Sequence, residues 1–77
     1  METATGIIDG VREWRSPSSD ILYYFVKIGN LDLSTTDKEL ITLETEEGEP
    51  RRVHKGDYVS ADYEIEKDKT KLKALKW

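Results

Sequence analysis

The sequence predicts an all-β fold, a small five-stranded antiparallel barrel occupying residues 1–77 as a single domain. Three observations lead there. At 77 residues the chain supports one hydrophobic core and no second domain. Its apolar residues fall in short runs rich in β-branched and aromatic side chains, separated by Gly, Pro, Ser, Asn and Asp clusters that mark turns. No segment makes a convincing helix of three turns. Five strands are too few for a sandwich of immunoglobulin size, whereas closing them into a barrel removes exposed sheet edges.

The first strand is expected over about residues 5–15, where Gly6-Ile7-Ile8-Asp9-Gly10-Val11-Arg12-Glu13-Trp14 is β-branched and aromatic, with glycines where a strand can bend or bulge. Ser16-Pro17-Ser18-Ser19-Asp20 ends it, because Pro17 has no N–H for a ladder and Ser and Asp side chains stabilise turns. The second strand, about residues 21–29, is the strongest signal in the chain. Alternation puts Leu22, Tyr24, Val26 and Ile28 on one face and Ile21, Tyr23, Phe25 and Lys27 on the other.

Gly29-Asn30 breaks the run, Leu31-Asp32-Leu33 alternates briefly, and Ser34 to Asp37 reads as a loop. The third strand is placed at about residues 40–45, Leu40-Ile41-Thr42-Leu43-Glu44. A short helix competes there, since Thr36 and Glu39 have capping-box spacing; β-branched Ile41 and Thr42 oppose it. After the acidic loop Glu46 to Pro50 and the Lys55-Gly56-Asp57 turn, the fourth strand occupies about residues 57–66 with Val59, Ala61, Tyr63 and Ile65 inward. A turn at Lys67 to Thr70 leads into the fifth, about residues 71–77. There Leu72 and Ala74 share one face while Leu75 and Trp77 fall on the lysine face, which predicts a bulge near Ala74 or a partly covered far side. The expected core is Ile8, Val11, Leu22, Tyr24, Val26, Ile28, Ile41, Leu43, Val59, Ala61, Ile65 and Leu72.

Composition limits both stability and chemistry. Leu, Ile, Val and Phe fill 18 of 77 positions, just above the roughly 20% below which a charged chain stays disordered. A core of this size supplies about 3–5 kcal/mol of stability. With no cysteine and one histidine, disulfides, thiolate zinc sites and multi-histidine metal sites are excluded. The start Met1-Glu2-Thr3-Ala4-Thr5 has neither the basic residues nor the apolar run of a secretory signal, and no apolar stretch is long enough for a membrane span. A cytoplasmic chain with no membrane association is the expectation.

The protein is acidic, with net charge −4. Residues 1–50 hold 11 acids and 4 bases, residues 51–77 hold 5 acids and 8 bases. Overall acidity argues against indiscriminate binding of duplex DNA, which needs a surplus of Lys and Arg, but leaves room for a local basic face. Catalysis finds no footing: His54 beside Ser60 or Asp62 lacks the pocket and oriented partners of a triad. The glycines at 6, 10, 29, 48 and 56 match no phosphate-binding loop. Carboxylate pairs such as Glu44 with Glu46, or Asp62 with Glu64, lack the further oxygen ligands of a calcium loop. A non-catalytic module with no cofactor and no metal is expected.

The residues that point to binding are aromatic and basic. Tyr23, Phe25 and Lys27 on one strand face can stack bases while a cation meets the backbone; the alternative is a face covered by another segment, or a protein contact. Trp14, with Arg12 and Arg15 beside it, either extends that platform or caps the barrel end. Arg51, Arg52, His54 and Lys55 form a basic loop suited to phosphates or simply to solvent. Lys67, Lys69, Lys71 and Lys73 fit a charged outer face that also guards a sheet edge.

Several of these segments resemble the OB-fold, and within it the cold-shock-like group. Gly6-Ile7-Ile8 looks like that group's glycine-led opening strand, and Tyr23-Tyr24-Phe25-Val26 is similar to its first RNA-binding motif, with Tyr23 and Phe25 in the aromatic positions. Lys55 to Ile65, ending at Leu72-Lys73-Ala74-Leu75, is similar to its last hairpin. Tyr24 stands where the motif has glycine, and the second motif has only Leu31-Asp32-Leu33-Ser34 in its place. The resemblance implies single-stranded RNA or DNA as partner, with Tyr23 and Phe25 stacking bases and Lys27, Arg12, Arg51 and Arg52 near phosphates. An SH3-like barrel is the rival topology, and a protein-interaction or assembly module is the rival function.

Overall fold

A computed structural model describes residues Met1–Trp77. The chain opens with one long strand, β1 (Glu2–Arg15), which serves two neighbours in turn. Its first half pairs antiparallel with β6 (Tyr58–Glu66), from Glu2 opposite Tyr63 to Ile7 opposite Tyr58. Its second half pairs with β2 (Leu22–Ile28), from Ile8 opposite Ile28 to Arg15 opposite Leu22. The change of partner needs a bend, and the sequence supplies it. Ile8 faces Ile28 but Gly10 faces Lys27, leaving Asp9 as the extra residue of a β-bulge. The Asp9 carboxylate accepts the Gly29 N–H at 2.8 Å, tying the bulge to the next turn. Gly6 permits the close approach, since a Cβ there would stand 3.2 Å from the Ile28 side chain.

That next turn is the two-residue loop Gly29-Asn30. Gly29 at φ 61° meets the demand of a tight hairpin for a left-handed first position, and β3 (Leu31–Thr35) returns along β2 with Val26 opposite Leu33. The third strand of the sheet is therefore Leu31–Thr35 and not residues 40–45. Asp37 caps a single 3₁₀ turn at Lys38–Ile41 by accepting the Glu39 N–H at 3.0 Å. Thr42–Glu44 (β4) then pairs with Pro50–Arg52 (β5) in a separate two-stranded sheet. The competing helical reading of this stretch thus holds for one turn, capped by Asp37 where the Thr36 and Glu39 spacing pointed to Thr36.

The last strand, β7 (Lys69–Lys76), pairs antiparallel with β6 and closes the sheet against β3 in a ring ordered β1-β2-β3-β7-β6. The closing contact is parallel, Ser34 opposite Lys71, so the sheet is mixed and the antiparallel expectation is corrected at this joint. The predicted bulge near Ala74 is present: Asp62 faces Ala74 while Tyr63 faces Leu72, leaving Lys73 as the extra residue. It brings Leu72 and Leu75 to the same side, both buried, and leaves Ala74 exposed.

Eleven apolar residues form the core: Ile8, Tyr24, Val26, Ile28, Leu33, Ile41, Val53, Val59, Ala61, Leu72 and Leu75. Val11, Leu22 and Leu43, expected inside, are half-buried against it. Ile65 is a correction, 67% exposed although strand parity points it inward. It pairs with Thr70 at the tip of the β6–β7 hairpin, beyond the Ser34–Lys71 bridge where no further strand covers that side. Leu33, Val53 and Leu75 join the core unanticipated. No helix of the chain is long and apolar enough to cross a membrane.

The β6–β7 turn stores strain. Lys67 at φ 48° and Asp68 at φ 67° both occupy the left-handed region, which the short polar side chain of Asp tolerates but which costs Lys67 about 1–2 kcal/mol. Two-residue hairpins of this type favour Asn-Gly. The double substitution Lys67→Asn, Asp68→Gly is expected to stabilise the protein by about 1 kcal/mol, raising the melting temperature by about 4–8 °C. An unchanged or lower melting temperature would contradict that strain.

Candidate functional site

Alternation along β1 and β2 sends Arg12, Trp14, Tyr23, Phe25 and Lys27 to the outer face while Val26 and Tyr24 point into the core. The register then sets them side by side. Trp14 lies opposite Tyr23, Arg12 opposite Phe25, and Gly10 opposite Lys27. The three rings make a continuous row, Trp14 to Tyr23 at 5.8 Å between centroids and Tyr23 to Phe25 at 6.5 Å, with ring planes inclined by 34° and 30°. The Arg12 guanidinium lies 4.8 Å from the Phe25 ring centroid, a cation–π contact. Trp14 is 50% exposed, Tyr23 and Phe25 are half-buried, and Lys27 is exposed.

Five of the residues singled out from the sequence thus meet on one surface. Of the two alternatives for Trp14, the structure shows it extending the aromatic row. Arg51 and Arg52 go elsewhere. Arg51 makes a paired hydrogen bond to Asp57, Nη1 to Oδ2 at 2.9 Å and Nη2 to Oδ1 at 3.0 Å, and its guanidinium sits 5.0 Å from the Trp77 ring centroid. Arg52 pairs with Glu13 and lies 5.3 Å from the ring centroid of Tyr24. Glu13 and Tyr24 face each other across β1 and β2 on the side opposite the aromatic row. These two arginines hold the β4–β5 hairpin against the ring.

Asp57 is the anchor of that arrangement. Besides Arg51 it accepts the His54 backbone N–H at 2.9 Å. The Arg51 hydrogen bonds hold the Asp57 carboxyl below the ordinary carboxylate range; partial burial opposes them, and the His54 N–H and the charges of Arg51 and His54 reinforce them. A carboxyl lowered on folding contributes stability that is full above its unfolded value of about 3.9 and is lost as pH falls through the folded value. Asp57→Ala is expected to cost about 1.5–3 kcal/mol at pH 7, the range for hydrogen bonds to a charged group. Its deficit against the unsubstituted protein should shrink as urea denaturation is repeated at pH values below about 4. A deficit independent of pH would mean that the ionised carboxylate is not what stabilises the turn.

Two residues beside the aromatic row were not anticipated. Gly10 leaves a gap in the β1 face, with nothing within 4 Å of where a Cβ would stand. Asp32, opposite Lys27 on β3, borders the same gap. Together with Val11, Arg12, Phe25 and Lys27 they line a shallow groove of about 270 Å³. The signal in the sequence was Gly29-Asn30: read as a two-residue hairpin it pairs Asp32 with Lys27.

No family model matches the chain, and no curated protein or solved structure matches it either.

Proposed function

We propose that this chain is a non-catalytic OB-type binding module that holds single-stranded nucleic acid along the outer face of β1 and β2. One observation carries the reading: Trp14, Tyr23 and Phe25 form an open row of rings with Arg12 and Lys27 at its side. Every base has a face that stacks on an aromatic ring, and each such contact contributes about 1–3 kcal/mol. Ring separations of 5.8 and 6.5 Å exceed the stacked repeat of about 3.4 Å, so the row suits an extended strand whose bases settle on separate rings. Arg12 and Lys27 reach phosphates; Arg51 and Arg52, committed to Asp57 and Glu13, are left out of the interface.

The ring order β1-β2-β3-β7-β6 supports the OB comparison, in which the face around the second and third strands binds oligonucleotides. Trp14 adds a third ring from β1, on the side of β2 away from β3, where Leu31-Asp32-Leu33-Ser34 stands in place of the cold-shock-like second motif. A titration with a short single strand at two salt concentrations tests the proposal, because binding that releases counterions weakens steeply with salt. The second reading, a protein-interaction module, draws on the cross-strand pair Ile7 and Tyr58, exposed by 57% and 62%. Salt-insensitive association with a protein and no affinity for single strands would favour it.

A further inference from the structure

Resting on the nucleic-acid reading, we infer that the groove between Gly10, Phe25, Lys27 and Asp32 is a base-reading subsite selective for guanine. Stacking alone does not distinguish bases, so a row of rings predicts indifference to sequence. The groove differs from the row in three respects. It is concave, about 270 Å³, close to the lower end of small-ligand sites. One wall is flat, made by the Phe25 ring with the Arg12 guanidinium 4.8 Å from its centroid, and both kinds of surface accept a stacked base. Its floor is Gly10, where the missing side chain gives a ring room to enter.

The third respect is chemical. Asp32 is exposed, faces Lys27 across the strands, and makes no hydrogen bond or ion pair with the rest of the chain. An anion beside a phosphate path weakens general affinity, so its place here is explained by what its two oxygens accept. Guanine alone presents two adjacent donors on its Watson–Crick edge, N1–H and the N2 amino group, which a carboxylate accepts side by side. Adenine and cytosine set an acceptor beside their single amino group, and thymine or uracil flanks one N–H with two carbonyls. Each of these brings a lone pair against the Asp32 carboxylate. Lys27 then meets the phosphate beside the seated base.

The experiment compares thymidine strands of about eight nucleotides, within the span of one such domain, carrying one central guanosine, adenosine, cytidine or thymidine. The unsubstituted protein is expected to bind the guanosine strand about tenfold more tightly than the other three, as for a paired hydrogen bond to a base edge. Asp32→Asn should abolish that difference while leaving affinity for the all-thymidine strand equal or higher. Gly10→Val, at a position with space for the side chain, should fold normally and also lose the difference. Equal, salt-sensitive binding of all four strands by the unsubstituted protein overturns the guanine subsite and leaves the aromatic row standing. A guanosine preference that survives Asp32→Asn overturns it as well. No affinity for any strand overturns both this inference and the reading beneath it.

Discussion

Leu33→Ala is expected to unfold most of the protein at 25 °C. Leu33 is fully buried, opposite Val26 in the β2–β3 pairing. Removing its branched end costs the transfer free energy of the lost methyl groups plus the cavity left behind, together about 2–5 kcal/mol. A domain of this size holds only about 3–5 kcal/mol in total, so the loss is comparable to the whole. Ile65→Ala is the control. Ile65 is 67% exposed, and its truncation should stay within about 0.5 kcal/mol. Urea denaturation of the two variants decides the assignment. A Leu33→Ala midpoint like that of the unsubstituted protein, or a collapse of Ile65→Ala, would show that the inner and outer residues of these strands had been exchanged.

The double substitution Tyr23→Ala, Phe25→Ala is expected to lower affinity for a short single strand by about 2–6 kcal/mol, from about 1–3 kcal/mol per ring. Both rings stand half-buried on the outer face, so folding should suffer less than binding. The local losses are the aromatic contacts of Tyr23 with Trp14 and Phe25, roughly 0.5–1.5 kcal/mol per pair, and the cation–π contact of Arg12 with Phe25, roughly 0.5–1 kcal/mol. Lys27→Ala supplies the electrostatic counterpart: a uniform loss across sequences, with the salt slope of log K reduced by about 0.7 for one lost phosphate contact. Thermal melts establish that the variants remain folded, and titrations at two salt concentrations measure the rest. The proposal fails if the unsubstituted protein shows no affinity tighter than about 100 µM at low salt, where even non-specific contacts are strongest. A double variant that unfolds would assign the two rings to the core.

Most of the sheet was legible because strand parity and turn chemistry agree over β1, β2, β6 and β7. Even the β7 bulge could be read, since Leu72 and Leu75 cannot share a face of a regular strand. The third strand was hidden by a contest between two weak signals. Leu31–Thr35 has two apolar residues and follows a glycine that looks like a break, whereas Leu40, Ile41 and Leu43 offer more apolar surface. The outcome depends on Gly29 adopting φ 61°, which makes the break a hairpin. Ile65 misled for a different reason: parity tells which side of the strand a residue takes, not whether another strand covers that side.

For the site, the outer face of β2 was readable from alternation alone, but its neighbours were not. Trp14 and Arg12 reach Tyr23 and Phe25 only through the β1–β2 register, which the Asp9 bulge shifts by one residue. The partners of Arg51 and Arg52 lie on segments that meet only in the folded ring. In the sequence Asp32 is only the middle residue of the brief alternation Leu31-Asp32-Leu33, and an isolated carboxylate gains meaning only once Lys27 and Gly10 stand beside it.

The ring is unequally fastened. β1 shares six or seven registered pairs with each of its neighbours, whereas β3 and β7 meet through Ser34 and Lys71, assisted by the Ser34 hydroxyl donating to the Thr70 carbonyl at 3.2 Å. Local openings begin where the fewest bonds must break, so hydrogen exchange is expected to be fastest along this seam. Cut at this seam, the sheet order leaves β1, β2 and β3 as a three-stranded meander and β6 and β7 as a hairpin attached through β1. The aromatic row is borne entirely by β1 and β2, so the spacing of its rings does not depend on the Ser34–Lys71 bridge.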